Sequence, residues 1–251
     1  MFGLFKKPMK PSGPQGSIPD GMRIYAIGDI HGRLDLLDTL MGQIDADDAA
    51  RGPAESQIIF LGDLVDRGPH SAGVVERAYQ IAQAKPGTRL LTGNHEEVFL
   101  KALDGDDKAL RLFCRIGGRE TILSYGLSED QYQQLDYDQL LVEIQRMVPQ
   151  HHREFLGTFE DLIEIGDYAF VHAGISPDAP LSAQQPSDLR WIREGFLNHP
   201  LPFERIIVHG HTITAEIETR PNRIGIDTGA YASGKLSVLC LERGERWTIS
   251  T

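Results

Sequence analysis

The stretch RIYAIGDIHG, residues 23–32, decides the fold. It opens with a short apolar and β-branched run, which predicts a buried strand over residues 23–27. It then changes at once to glycine, Asp29 and His31, and an amphipathic helical pattern follows over residues 34–44. A strand that passes through a glycine-containing loop into a helix is the repeating unit of parallel α/β sheets.

The same change from an apolar run to polar residues occurs four more times. The segments are IIFLGDLVDRG at residues 58–68, LLTGNHE at 90–96, AFVHAG at 169–174 and IIVHGHT at 206–212. In open α/β sheets the carboxyl ends of the strands share one edge, where binding residues gather. We therefore expect the Asp, His and Asn side chains of these loops to converge on one place.

Helices and further strands are predicted around these loops. Residues 1–21 are rich in Pro, Gly and Ser, which predicts a flexible tail before a single domain over residues 22–251. A helix is expected over residues 71–84, and residues 96–158 are typical of a helical insertion. The later strands are predicted at residues 161–165, 168–172, 205–208, 223–226, 235–241 and 246–249. The spacing of the last three favours an antiparallel meander, so the fold class is α/β (α+β) with mixed sheets.

Composition excludes several classes of partner. The formal net charge is −11, from 25 Lys and Arg against 36 Asp and Glu. This balance argues against nucleic-acid binding and stable membrane association, because both partners attract basic surfaces. The chain has only two cysteines, Cys114 and Cys240, and no apolar run approaches the length of a membrane span. We expect a cytoplasmic protein without a disulfide framework.

The polar residues after the strands have the chemistry of metal ligands. Carboxylate, imidazole and amide oxygen together suit borderline divalent ions such as Mn²⁺, Fe²⁺ and Zn²⁺. A lone Gly-Asp or Gly-Asn is usually a turn, but chance turns do not explain the same placement after every one of these strands. The candidates are too many for one ion, whereas two ions bridged by a carboxylate would use them all.

These motifs resemble a known family. GDIHG at residues 28–32, GDLVDRG at 62–68 and GNHE at 93–96 are similar to the signature of the PPP-type serine/threonine phosphoprotein phosphatases, within the calcineurin-like metallophosphoesterase superfamily. VHAG at 171–174, GHT at 210–212 and IDTGA at 226–230 resemble its bacterial and phage branch. Many nuclease relatives have a second His where this chain has Ile213, which favours the PPP-type branch.

The resemblance implies a fold and a role for each candidate residue. The expected fold is a sandwich of two mixed sheets flanked by helices. The implied ligands are Asp29, His31 and Asp63 for one metal, and Asp63, Asn94, His172 and His211 for the other, with Mn²⁺ the first choice for both ions. His95 would be the general acid, oriented by Asp66. Arg67, Arg193 and Asn94 would bind the phosphate.

The sequence leaves three questions open. His209 lies two residues before His211 and could share its face, although His211 is preferred as the ligand. Asp227 could support the site or coordinate a metal, and Arg119 could face the substrate or solvent.

The first expected function is hydrolysis of phosphoserine and phosphothreonine in proteins by metal-activated water. Hydrolysis of a dinucleoside polyphosphate, a phosphorylated small molecule, is the alternative, and a non-catalytic scaffold is a third reading.

Overall fold

The computed structural model describes residues 16–251. The strands are β1 (Met22–Ile27), β2 (Glu55–Phe60), β3 (Arg89–Leu90), β4 (Ile163–Ile165), β5 (Tyr168–Phe170), β6 (Ile206–His209), β7 (Glu218–Thr219), β8 (Arg223–Gly225), β9 (Ser237–Glu242) and β10 (Glu245–Ser250). The helices are α1 (Leu34–Ala50), α2 (Ser71–Ala84), α3 (Asn94–Leu103), α4 (Asp107–Phe113), α5 (Arg119–Ser124), α6 (Glu129–Gln134), α7 (Tyr137–Met147), α8 (Gln150–Leu156), α9 (Pro186–Trp191), α10 (Glu194–Leu197) and α11 (Ala230–Ser233).

Within residues 16–251, the strands form two sheets of five. The first has the order β10-β9-β1-β2-β3, in which β1, β2 and β3 are parallel and β9 is antiparallel to β1. The second has the order β4-β5-β6-β8-β7, in which β5, β6 and β8 are parallel. Parallel strands in both sheets therefore end at one side of the molecule, as the sequence predicts.

The alternation of side chains along β1 builds two cores. Ile24 and Ala26 point into the space between the sheets, where they meet residues of the second sheet such as Phe170 and Val208. Tyr25 points the opposite way, against the helices that cover the first sheet. A third apolar cluster, around Phe196, covers the outer face of the second sheet. The result is the predicted sandwich of two mixed sheets between helical layers.

The predicted helical insertion is present and joins the core beside the first sheet. Helices α3 to α8 fill residues 94–156, and their buried residues share one cluster with those of α1 and α2. Short helices in this region begin at side-chain caps, as at Ser128 before α6 and Asp136 before α7. Between α4 and α5 the chain kinks at Gly117, whose φ is +120°.

Two details differ from the sequence-based expectations. The last three predicted strands are not one meander, because β8 pairs with β6 and β7 in the second sheet while β9 and β10 pair in the first. Alternation of apolar residues does not specify which sheet a strand joins. Between β8 and β9, at residues 226–236, the chain crosses from the second sheet to the first.

The start of the packed chain also differs from the prediction. Ile18 is buried between the sheets, and its backbone N–H donates to the Arg243 carbonyl at 2.9 Å. Residues 16–21 therefore belong with the folded domain, because one buried apolar side chain anchors a Pro- and Gly-rich segment. Residues 1–15 of the predicted tail lie outside the described residues. Within residues 16–251, no helix is long and apolar enough to cross a membrane.

Candidate active site

The strand-end loops bring the predicted residues together. Asp29 and His31 follow β1, Asp63 follows β2, His172 follows β5 and His211 follows β6, and all of these side chains are buried. Asn94 and His95 are the first two residues of α3, which residues 91–93 connect to β3. The convergence predicted from parallel strand ends is therefore present.

Glycine is required where two of these loops cross. A Cβ at Gly210 would collide with Oδ1 of Asp29. The close approach lets the backbone N–H of His211 donate to Oδ2 of Asp29 at 3.0 Å. The glycine before His211 therefore lets the β6 loop lie directly against the β1 loop.

Asp63 lies at the centre of the cluster, with one carboxylate oxygen facing each side. Its Oδ2 is 3.5 Å from Nε2 of His31, and its Oδ1 is 3.4 Å from Nε2 of His172. Asn94 Oδ1 lies 3.0 Å from the same His172 nitrogen and 2.9 Å from Nδ1 of His211. Two groups of ligand atoms thus share one carboxylate, as a bridged pair of cations would require.

The tautomers of the histidines point to cations between these groups. Nδ1–H of His31 donates to the Val65 carbonyl at 2.8 Å, and Nδ1–H of His172 donates to the Leu61 carbonyl at 2.7 Å. Burial lowers the pKa of both rings, that of His31 to about 3, so both are neutral. Their Nε2 atoms therefore carry lone pairs that face the oxygens of Asp63 and Asn94. Acceptors facing acceptors are unfavourable unless a cation lies between them.

Unpaired atoms and excess negative charge support the same conclusion. Among residues 16–251, the buried polar atoms without a hydrogen-bond partner include Asp29 Oδ1, His31 Nε2 and His211 Nε2. Burial and the nearby carboxylates of Asp227 and Asp63 raise the pKa of Asp29 well above its usual range. Divalent cations would satisfy the orphaned atoms and offset the repulsion. The residues present therefore fit two metal ions.

His95 and Asp66 form a hydrogen-bonded pair beside this cluster. Nδ1–H of His95 donates to Oδ2 of Asp66 at 2.6 Å, which leaves Nε2 3.9 Å from the Asp63 carboxylate. Burial acts to lower the pKa of His95, but Asp63 and Asp66 outweigh it and raise the pKa above its ordinary value. A buried imidazole oriented by a carboxylate is suited to proton transfer. Nη2 of Arg67 lies 3.0 Å from Nε2 of His95.

Comparison with known proteins agrees with this geometry. Residues 22–236 match the family model for calcineurin-like phosphoesterases. The chain belongs to this family. Its two-sheet fold and strand-end cluster are therefore those of a metal-dependent phosphoesterase, and the superfamily predicted from the motifs is confirmed.

Named relatives include two curated proteins and one solved structure. The bis(5'-nucleosyl)-tetraphosphatase PrpE [asymmetrical] of Anoxybacillus flavithermus is 25% identical over 85% of this chain and 88% of the relative. The symmetrical bis(5'-nucleosyl)-tetraphosphatase of Acidovorax ebreus is 31% identical over 62% of this chain and 45% of the relative. A crystal structure of a provisionally assigned diadenosine tetraphosphatase has a TM-score of 0.63, with 20% identity over 95% of this chain and 98% of the other.

Glu96 supports the phosphoesterase site, although the sequence reasoning gave it no role. It is fully buried, and its carboxyl group accepts from the backbone N–H groups of Asp63, Leu64, Val65 and Gly93. Burial, and then repulsion from Asp63, raises the pKa of Glu96 to about 7. The side chain fixes the β2 and β3 loops to each other. The sequence signal for this role is the position of Glu96 in the GNHE segment, residues 93–96.

The helical insertion also reaches the phosphoesterase site, which the sequence did not indicate. The hydroxyl of Thr121, on α5, donates to Oδ1 of Asp66 at 2.7 Å. The same hydroxyl oxygen accepts from the backbone N–H of Asp66 at 2.8 Å. The Gly117 carbonyl accepts from the backbone N–H of Arg67 at 3.0 Å. These contacts join residues about 50 positions apart in sequence, and no local pattern predicts them.

The structure shows what surrounds the three residues whose roles the sequence leaves open, which are His209, Asp227 and Arg119. His209 points away from the cluster, because its ring packs on Phe196 and its Nε2 accepts from Arg223 at 3.2 Å. Asp227 is buried beside the cluster and accepts from the Gly229 N–H at 2.8 Å. Burial, reinforced by repulsion from Asp63, raises the pKa of Asp227 to about 6. Arg119 pairs with Glu120 and Glu129 on the surface of the insertion.

The two predicted phosphate-binding arginines lie at opposite ends of the cluster. Arg67 contacts His95, as described above, and its guanidinium lies 5.0 Å from the ring centre of Tyr231. Arg193 is exposed, and its Nη2 donates to the His211 carbonyl at 3.4 Å. Arg67 thus lies beside His95, and Arg193 lies beside His211.

Proposed function

We propose that this phosphoesterase hydrolyses dinucleoside tetraphosphates, cleaving one phosphoanhydride bond with water. The observation that carries the proposal is the PrpE relative, which matches 85% of the chain and is named for this activity. The motifs alone placed phosphoprotein hydrolysis first and this reaction second. The names of the relatives support the reverse order.

The arrangement of the side chains suits this reaction. Asp29, His31 and Asp63 would hold one divalent ion, and Asp63, Asn94, His172 and His211 the other. When bound, the ions would supply activated water at neutral pH and neutralise charge on the phosphoryl oxygens. Arg67 and Arg193 would bind the phosphoryl oxygens and orient the chain of phosphates. His95, held by Asp66, would give a proton to the leaving oxygen.

Apolar side chains beside the site favour a substrate that carries bases. Trp191 is 38% exposed, and its Nε1–H donates at 3.0 Å to Glu97 of α3, the helix that begins with Asn94. Ile213 is 48% exposed two residues after His211. Exposed aromatic rings stack on nucleobases with a gain of about 1–3 kcal/mol per base. A phosphate-binding site next to such a surface suits a nucleotide better than a phosphate alone.

The test is a comparison of substrates. The chain with added Mn²⁺ is assayed on diadenosine tetraphosphate and on a panel of phosphoserine, phosphothreonine and phosphotyrosine peptides. We expect the higher kcat/KM on the dinucleotide. We expect asymmetrical cleavage, which would give ATP and AMP, whereas symmetrical cleavage would give two ADP. Higher kcat/KM on any phosphopeptide would overturn the proposal in favour of protein phosphatase activity.

A further inference from the structure

A second group of potential metal ligands lies outside the active site. Glu76 projects from α2, and His151 and His152 project from α8, the last helix of the insertion. Nε2 of His151 and Nε2 of His152 each lie 3.0 Å from the same carboxylate oxygen, Oε2 of Glu76. The two imidazole rings meet edge to face with their centres 4.5 Å apart. None of these residues belongs to the strand-end cluster.

We propose that Glu76, His151 and His152 bind a third divalent ion of the zinc class. The three ligand atoms lie within 4.8 Å of one another. Zinc binds imidazole nitrogen and carboxylate oxygen at about 2.0–2.1 Å, which places tetrahedral ligand atoms about 3.3 Å apart. The observed separations of 3.0 Å from oxygen to each nitrogen are close to that spacing. A donor set of two imidazoles and one carboxylate also favours zinc over calcium or magnesium.

Neighbouring side chains already orient two of the three ligands. Nδ1 of His152 lies 2.9 Å from the hydroxyl of Tyr125, just after α5. If Nδ1–H donates to this hydroxyl, the lone pair of Nε2 is free to bind a metal. Gln80 Nε2 donates to the other oxygen of Glu76 at 2.8 Å, which leaves Oε2 facing the histidines. Such outer contacts commonly fix the orientation of metal ligands.

The exposure of the ligands allows an ion to enter from solvent. The side chain of His152 is 5% exposed, whereas those of Glu76 and His151 are 40% and 47% exposed. Three protein ligands leave a fourth position for water. A bound ion would join α8 of the insertion to α2 of the core. The same α2 supplies Ser71, whose hydroxyl accepts from the Asp66 backbone N–H at 3.0 Å.

The test counts zinc ions in the full chain. Protein freed of metal by chelation is equilibrated at buffered micromolar free Zn²⁺, and bound zinc is measured by mass spectrometry. We expect three ions per wild-type chain, a pair in the active site and one here. His151→Ala and Glu76→Gln should each bind one ion fewer, while His199→Ala, which removes an imidazole elsewhere, should match wild type. Equal zinc content in wild type and both cluster variants would overturn the proposal and leave a hydrogen-bonded cluster only.

A second measurement separates this site from the active site. In Asp63→Asn, zinc at about 100 times its Kd should still raise the Tm by about 5–10 °C. Adding His151→Ala should abolish that rise. If Asp63→Asn leaves the zinc count unchanged, the assignment of the active-site metals fails, but the loss of one ion in His151→Ala still supports the third site. An equal Tm rise with and without His151 would overturn it.

Discussion

At the scale of single residues, backbone strain is concentrated in the strand-end loops. Among residues 16–251, the non-glycine residues with left-handed φ are His31, Asp63, Asp66, Arg67, His211 and Arg243. All but Arg243 lie in these loops, and each such conformation costs on the order of 1–3 kcal/mol. The surrounding fold holds the predicted metal ligands and the predicted phosphate-binding Arg67 in conformations that they would not adopt alone. Such strain is typical of a preorganised site.

The role of His95 can be tested through the leaving group. We expect His95→Asn to slow hydrolysis of a phosphoserine peptide about 10²–10⁴-fold, because the departing alkoxide needs a proton. Diadenosine tetraphosphate should be slowed less, because its leaving group is a phosphate whose second pKa is about 6. The measurement is kcat on both substrates. Bound metal should stay at the wild-type level.

The matched control for His95 is His70→Asn, which changes an exposed imidazole before α2. Both rates should stay at the wild-type value in this variant. Full activity of His95→Asn on the phosphoserine peptide would exclude His95 as the general acid. Equal slowing on both substrates would show that His95 acts in some way other than protonating the leaving group.

Trp191 is predicted to bind a nucleobase. Loss of one stacking contact of about 1–3 kcal/mol should raise KM for diadenosine tetraphosphate about 5- to 150-fold in Trp191→Ala. Inorganic tripolyphosphate has the same type of bond and no base, so its KM should not change. Tyr137→Ala is the control, because Tyr137 is also 38% exposed and lies in α7. A KM that rises equally for both substrates would contradict base stacking.

At the scale of elements, the helical insertion supports the loop between β2 and α2, residues 61–70. The hydroxyl of Thr121 on α5 bonds both the carboxylate and the backbone N–H of Asp66, and the Gly117 carbonyl bonds the N–H of Arg67. Two of the three left-handed non-glycine residues of the β2 loop, Asp66 and Arg67, are thus held by a segment that follows them by about 50 positions. The insertion is therefore a support for the loop as well as a cover for the first sheet.

The contact from Thr121 is tested by a pair of substitutions. Thr121→Val keeps the shape and removes the hydroxyl, and an unsatisfied buried partner costs about 1–3 kcal/mol. We expect kcat on the phosphoserine peptide to fall about 10-fold with little change in KM, because Asp66 would no longer hold His95 in place. Thr121→Ser should restore most of the rate. Failure of serine to restore kcat would point to a packing role alone.

The kink at Gly117 is tested against a matched glycine. Gly117 has φ +120°, and a Cβ there would lie 2.8 Å from Cγ of Arg67. Gly105 has φ +94°, and a Cβ there would meet nothing within 4 Å. Both alanine variants should lose about 1–2 kcal/mol of stability from the left-handed backbone, measured by urea unfolding. Only Gly117→Ala should also lower kcat/KM. Equal kcat/KM in the two variants would show that the close approach of Gly117 to Arg67 is not needed for activity.

At the scale of the whole molecule, the sequence predicted what is local and missed what is distant. The strand-end residues were predictable because each apolar run and its polar loop are contiguous, as in IIFLGDLVDRG at residues 58–68. The pairing of β8 with β6 was not, since a three-residue strand carries no signal for its sheet. Strand β7, of two residues, was missed for the same reason. The contact between Thr121 and Asp66 arises only from tertiary packing.

The proposed chemistry depends most on two metal ions that share Asp63. Anomalous diffraction from crystals of the Mn²⁺-loaded chain tests this directly. The expected result is two Mn²⁺ peaks about 3.5–4 Å apart. Asp63 should contact both, with Asp29 and His31 on one ion and Asn94, His172 and His211 on the other. A single peak, or two peaks that Asp63 does not bridge, would contradict the proposed dinuclear site.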